Sequence, residues 1–314
     1  MNTLRQAVHE YLSLRRSLGF KLREAGKGVL DFVTFMEQHH ASYITQALAL
    51  AWAQQPQSTQ PAHWAQRLSF VRGLARYRSS IDPRTQIPAP GLLPFQPKRA
   101  RPYLYSDEEI NALLEAAREM PHRYASGALL PWVYYCLFGL MCVTGLRLGE
   151  ARNLELQDVD LEAGVLTIRG TKFGKTRLVP LHASTCRVLA EYLARRQNHW
   201  AGRPVSSYLF VSSWGNRLDS GQIHRAFYAL SRQIGLRGAS DRHGPRLHDL
   251  RHRFATSTLV NWDRSDQDPQ RLLPLLSAYL GHVHRADTQW YLEGSPELMR
   301  EAMRRLERYW DGRS

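Results

Sequence analysis

Arg147, Lys172, His248, Arg251, His282 and Tyr291 have the residue types, and occur in the order, that phosphoryl transfer at a nucleic-acid backbone would need. During in-line attack at a phosphodiester, negative charge builds on the non-bridging oxygens. A guanidinium fork holds two such oxygens better than an ammonium does. Arg147 and Arg251 are the candidates for that clamp. Arg251 falls three residues after His248, which puts both on one helix face, and His248 can give or take a proton near neutral pH. Lys172 sits at the tip of a two-stranded turn, from which an ammonium reaches a leaving 5′ oxygen as general acid. His282 follows Gly281, where backbone and imidazole can both donate to the phosphate. Tyr291, nine residues on, is the nucleophile of the set. A phenol ionises near pH 10, so two arginines and a base are needed to make it useful. The resulting phosphotyrosine ester would match the broken bond in energy, so rejoining to a 5′ hydroxyl would need neither ATP nor metal.

Taken singly, each residue has a bland explanation: a surface arginine, a core histidine, a tyrosine packed beside Trp290, a solvated turn lysine with Lys175 next door. The ordered combination carries the weight. A metal site from His248, His252, His282 and His284 is the competing arrangement. The His248/His252 spacing suits ligands on a helix, but Arg251 stands where a metalloprotease helix places its glutamate, and a cation repels a dication. Cys136, Cys142 and Cys186 make no CxxC pair and an odd number, which argues against a disulfide framework or a cysteine metal site. No cofactor or metal is expected.

The elements that must position these residues follow from pattern. Four amphipathic stripes within residues 1–80 predict an all-α bundle. Arg67, Arg72 and Arg76 on its last helix are candidate phosphate contacts. Residues 81–103 are proline-rich and basic and read as a stiff linker, with Lys98, Arg99 and Arg101 as further DNA contacts. A capping box, Ser106-Asp-Glu-Glu109, opens a second domain over 104–314. Within it, 129–144 reads as a buried helix, Val165–Ile168 and Arg177–Leu181 as a β-hairpin, and Tyr208–Val211 as another short strand. Helices follow near 184–197, 221–234, 249–260 and 270–280, and a tail helix carries Met299, Met303, Leu306 and Trp310 on one face. The fold class is therefore mainly α with a small β-sheet, an α+β catalytic domain preceded by an all-α bundle.

These motifs resemble the tyrosine recombinase, or phage integrase, family. Thr144-Gly-Leu-Arg147-Leu-Gly-Glu150 resembles the box around its first catalytic arginine, Lys172 its hairpin lysine, and His248-Asp-Leu-Arg251 its HxxR box. Leu280-Gly-His282 resembles the next box, and Tyr291 matches the nucleophile in position and spacing. The likeness is strong over roughly 104–300; over 1–98 only a helical pattern, like the family's core-binding domain, supports it. It implies a two-domain clamp on double-stranded DNA, a 3′-phosphotyrosyl intermediate, and four protomers exchanging strands through a Holliday junction. The stretch between Arg251 and His282 is longer than the common pattern, around 261–275. Together with the linker this is similar to recombinases of transposon-like elements that carry several recombinase genes, which makes sister recombinases candidate partners. The alternatives are a type IB topoisomerase relaxing DNA and a decayed, purely DNA-binding relative.

Composition agrees with a polyanionic partner. The 314-residue chain carries a formal charge of +14, and the excess is spread over both halves rather than confined to a tail. The polar N-terminus and the lack of a long apolar run predict no leader and no membrane span. The expected location is the bacterial cytoplasm, in association with the nucleoid.

Overall fold

The computed structural model describes residues 3–57, 59–95, 101–121, 128–170, 176–241, 243–265, 267–282, 286–293 and 303. The chain divides into two compact units, Met1–Ala100 and Arg101–Ser314.

The first unit is built from α1 (Leu4–Ser17), α2 (Arg23–Gln38), α3 (Gln46–Gln54) and α4 (Pro61–Ser79). Thr3 and Thr45 cap the first and third through their hydroxyls, and Pro61 starts the fourth, where no backbone donor is needed. Val8, Phe32, Met36, Trp52, Leu68 and Leu74 fill its core. The proline-rich stretch after α4 lies along this bundle. Gln86 N donates to Ile44 O at 2.8 Å, and Arg72 donates to Pro88 O at 2.7 Å and Ala89 O at 2.9 Å.

The second unit begins at α5 (Asp107–Arg118), whose capping box pairs Ser106 with Glu109 in both directions. Its central helix, α6 (Leu130–Thr144), is buried on most of its circumference and ends at Gly145, in the left-handed region. Short α7 (Leu148–Arg152) follows, then β1 (Val159–Asp160), β2 (Val165–Ile168) and β3 (Arg177–Pro180) in one antiparallel sheet of that order. Ile168 pairs with Arg177 at one end of the β2–β3 ladder and Val165 with Pro180 at the other. Tyr208–Val211 forms no strand. Tyr208 and Val211 make isolated bridges to Glu155 and Arg217 only, because neither neighbour continues the ladder.

Helices α8 (Ala183–Trp200), α9 (Ser220–Gln233), α10 (Leu247–Arg264), α11 (Pro269–Leu280) and α12 (Ala286–Glu293) complete the described elements. The last three meet around Ala255, Leu259, Leu276, Leu280 and Tyr291. The long stretch around 261–275 is largely helical: α10 runs on through Arg264 and α11 starts at Pro269. Most of the tail helix expected around Met299–Trp310 lies outside the described residues. Among the described residues, no helix is long and apolar enough to cross a membrane.

Candidate active site

The site forms where α11 ends. The last carbonyls of a helix have no partner inside it and carry its negative dipole end, so they attract donors and cations. Leu280 O takes both clamp candidates: Arg251 Nη2 at 2.7 Å and Arg147 Nη1 at 3.3 Å. Arg251 Nη1 also donates to Gly145 O at 2.7 Å, which ties the end of α6 to the same point. Two glycines make these turns. Gly145 (φ +62°) could not carry a Cβ, which would lie 2.5 Å from Phe254 Cδ1, and Gly281 (φ +67°) closes α11 in the left-handed cap.

Arg147 is the residue before α7. Glu150, three residues on, accepts from its backbone N at 3.1 Å and from its Nη1 at 3.0 Å. Arg177, at the start of β3, forks onto the same carboxylate at 3.1 and 2.8 Å, and its Nε donates to Tyr279 O at 2.8 Å. Two guanidinium groups thus share one carboxylate. Burial would push Glu150 up, yet Arg177 and then Arg147 hold it below the usual carboxylate range.

Arg251 is 1% exposed. Burial, and then the like charge of Arg147, push its guanidinium down to about 10; a hydrogen bond with Tyr291 acts the other way. Its Nη2 also lies 2.9 Å from His282 Nε2. Arginine has only donors, so His282 Nε2 accepts, and the imidazole proton sits on Nδ1 facing Thr288 Oγ1 at 2.7 Å. Burial, Arg251 and Arg147 together push His282 down to about 4, which keeps it neutral. His282 therefore accepts from Arg251 through Nε2. His248, at the start of α10, is also lowered by desolvation and by Arg251, although its side chain keeps contact with solvent.

Tyr291 is 5% exposed. Its ring stacks on His282 (centroids 5.9 Å, 18°) and meets His252 edge-on (5.2 Å, 61°), and His252 in turn meets His248 (4.9 Å, 88°). The structure thus brings together Arg147, His248, Arg251, His282 and Tyr291. Lys172 lies outside the described residues.

The candidate DNA contacts fare differently. Arg67 stacks on the Trp52 ring at 3.8 Å and donates to Trp52 O at 3.1 Å, with Asp31 beside it at 3.4 Å. Arg72 holds the Pro88 and Ala89 carbonyls. Both guanidinium groups make hydrogen bonds within their own bundle. Arg76 and Arg101 are exposed, and Lys98 and Arg99 lie outside the described residues.

Sequence reasoning gave no role to Arg177 or Thr288, considered His252 only as a metal ligand, and quoted Glu150 only as part of a motif. Glu150 and Thr288 each lie three residues from a site residue, a helical spacing that could have flagged them. Arg177 lies 27 residues from Glu150, a pairing that only the fold reveals. Among the described residues, no group of three or more His, Cys, Asp or Glu side chains is placed to hold a metal.

The mainly helical domain gathers two arginines and two histidines near a buried tyrosine, and the chain's family is one of DNA strand-breaking and rejoining enzymes. The chain belongs to the phage integrase family, whose model matches residues 104–297. It is 68% identical over its whole length, and over all of the other chain, to a candidate integrase/recombinase of Sinorhizobium fredii, y4rB. Among solved structures it is similar to the XerH site-specific recombinase bound to its difH substrate, with TM-score 0.64, 20% identity, and coverage of 85% of this chain and 75% of that one. It is also similar to a lambda integrase tetramer bound to a Holliday junction, with TM-score 0.61, 18% identity, and coverage of 90% and 78%. At these identities the structural likeness speaks for the fold.

Proposed function

We propose that the chain is a site-specific recombinase that cuts and rejoins double-stranded DNA through Tyr291. The observation that carries this reading is the convergence of Arg147, Arg251, His282 and Tyr291 on the end of α11. Arg251 and Arg147 repel each other across a desolvated site. A phosphodiester between them would relieve that repulsion, so the site favours the anion whose charge grows during reaction. Tyr291 Oη attacks phosphorus in line; the bond from phosphorus to the 5′ oxygen breaks and a 3′-phosphotyrosyl ester forms. The phenol proton passes to His248, and Lys172 gives a proton to the departing 5′ oxygen. Bound phosphate offsets the cations that depress His282, which can then donate to a non-bridging oxygen. Attack by a new 5′ hydroxyl reverses these steps. The ester keeps the energy of the bond broken, so the cycle needs neither ATP nor metal.

The assignment of domains belongs to the same proposal. Residues 1–80 bind the core of the site, the basic stretch 81–103 links, and 104–314 cut. Four protomers act on paired sites, as the lambda integrase tetramer on its Holliday junction suggests. The same proposal gives the chain a role in moving a mobile element, which the integrase/recombinase name of the Sinorhizobium fredii relative supports, and extends to sister recombinases as further partners and to the bacterial cytoplasm at the nucleoid.

The test is end chemistry on DNA from the ends of the element that carries the gene. Cleaved strands should expose a 5′ hydroxyl that a polynucleotide kinase labels without prior phosphatase, while the 3′ end stays blocked by protein. A free 3′ hydroxyl with a 5′ phosphate would mean hydrolysis of another kind.

A further inference from the structure

We infer that Arg177 is a positioning residue for strand cleavage: it holds the Glu150 carboxylate so that Glu150 orients Arg147 without neutralising it. This rests on the reading of the site given above. The side chains of Glu150 and Arg177 are 10% and 12% exposed, so their charges are poorly screened by water. Arg177 satisfies both carboxylate oxygens, whereas the Arg147 side chain reaches only Oε1, through Nη1. Arg147 meanwhile keeps 35% of its side chain exposed, which leaves it open to a ligand. A buried carboxylate takes whatever cation it can reach. Without Arg177, Arg147 is the remaining cation on this carboxylate among the described residues, and its fork would turn from phosphate to Glu150.

The same side chain ties three segments. It stands on β3 of the hairpin, it grips Glu150 on α7, and its Nε holds Tyr279 O, one residue before the carbonyl shared by Arg147 and Arg251. Its Nη1 lies 3.0 Å from where a Cβ on Gly281 would sit, so the turn that presents His282 is packed against it.

The experiment is single-turnover cleavage of a nicked duplex carrying either the natural phosphodiester or a methylphosphonate at the scissile position. A methyl group in place of one non-bridging oxygen makes the linkage neutral, so the arginine clamp has less charge to hold. Arg177→Ala should slow phosphodiester cleavage by about 100-fold, the scale set by small misplacements near reacting atoms. On methylphosphonate the loss should shrink to less than about fivefold, because the clamp then contributes little. Adding Glu150→Gln to Arg177→Ala should recover part of the phosphodiester rate, since the carboxylate that captures Arg147 is gone. Arg177→Lys, which keeps the charge but not the fork, should fall between wild type and Arg177→Ala and covers the case in which the alanine variant folds poorly.

Equal slowing on both linkages, or a double variant slower than Arg177→Ala, would reduce Arg177 to a packing role and overturn the inference. An unchanged rate would do the same. Tyr291→Phe and wild type run alongside: a wild type that cleaves no better than Tyr291→Phe brings down the reading of the site itself, and this inference with it.

Discussion

The arginines of the candidate active site and those of α4 share a residue type and a basic chain, but their surroundings differ. Arg67 faces an aromatic ring, a carbonyl and Asp31, and Arg72 faces two carbonyls. Part of each donor set is taken up within the protein. Arg251 faces carbonyls too, but the charge that acts on it most strongly is another cation, Arg147, which already shares the single carboxylate of Glu150 with Arg177. What marks an arginine poised for an anion is excess like charge gathered in a desolvated place, rather than the number of arginines on a helix.

The largest effect that could break this comparison is at Arg251. Arg251→Lys keeps one charge but cannot serve Gly145 O, Leu280 O and a phosphate together. It should slow cleavage by about 100- to 1000-fold, in line with the loss of a preorganised donor, and leave DNA affinity nearly intact. A rate near wild type in a single-turnover assay would mean that the crowded cations are not the clamp.

The other half of the comparison sets Arg67 against Arg76. Arg67→Ala should lower unfolding stability by about 2 kcal/mol through the lost ring contact and carbonyl bond, read by denaturant titration. Its DNA affinity, measured well below the unfolding transition, should stay near wild type. Arg76, exposed on the same helix, should behave in the opposite way: Arg76→Ala leaves stability unchanged and lowers the salt dependence of DNA binding by about one counterion. The reverse pattern would restore Arg67 as a DNA contact.

The smallest effect is acid sensitivity at His282. Its folded-state value is about 4 against an ordinary 6.5, so the unfolded chain binds more protons between those limits. Its contribution to stability is full above 6.5 and is lost as pH falls toward 4. Thermal unfolding followed across that window should show a melting temperature that drops on the acid side. His282→Gln should flatten part of the drop; an identical slope in the variant would place the sensitivity elsewhere.

Much of this was legible in the chain. Helical stripes and caps located α1 to α6 and α8 to α11, though α10 runs on to Arg264, because core-facing periodicity and capping are local. The glycines before Leu146 and His282 marked the turns that aim the site, and motif order pointed to the five residues that meet there. The rest depends on pairing across the fold. Nothing local in Arg67 or Arg72 foretold their contacts with Trp52, Asp31 and the 88–89 carbonyls. Arg177 looked like an ordinary hairpin residue because Glu150 and Tyr279 are far from it in sequence. His282 was read as a donor because its tautomer depends on Arg251 and Thr288 together. Tyr208–Val211 has strand composition, but strand pairing needs a partner of matching length.

The measurement that bears most directly on the account is covalent trapping on a nicked duplex from the ends of the element, in the presence of EDTA. The adduct would be digested and the DNA-linked peptide mapped by mass spectrometry. The account predicts an adduct that carries DNA on Tyr291 and disappears in Tyr291→Phe, with DNA binding retained. An adduct on another residue, or cleavage that persists in the phenylalanine variant, would contradict it.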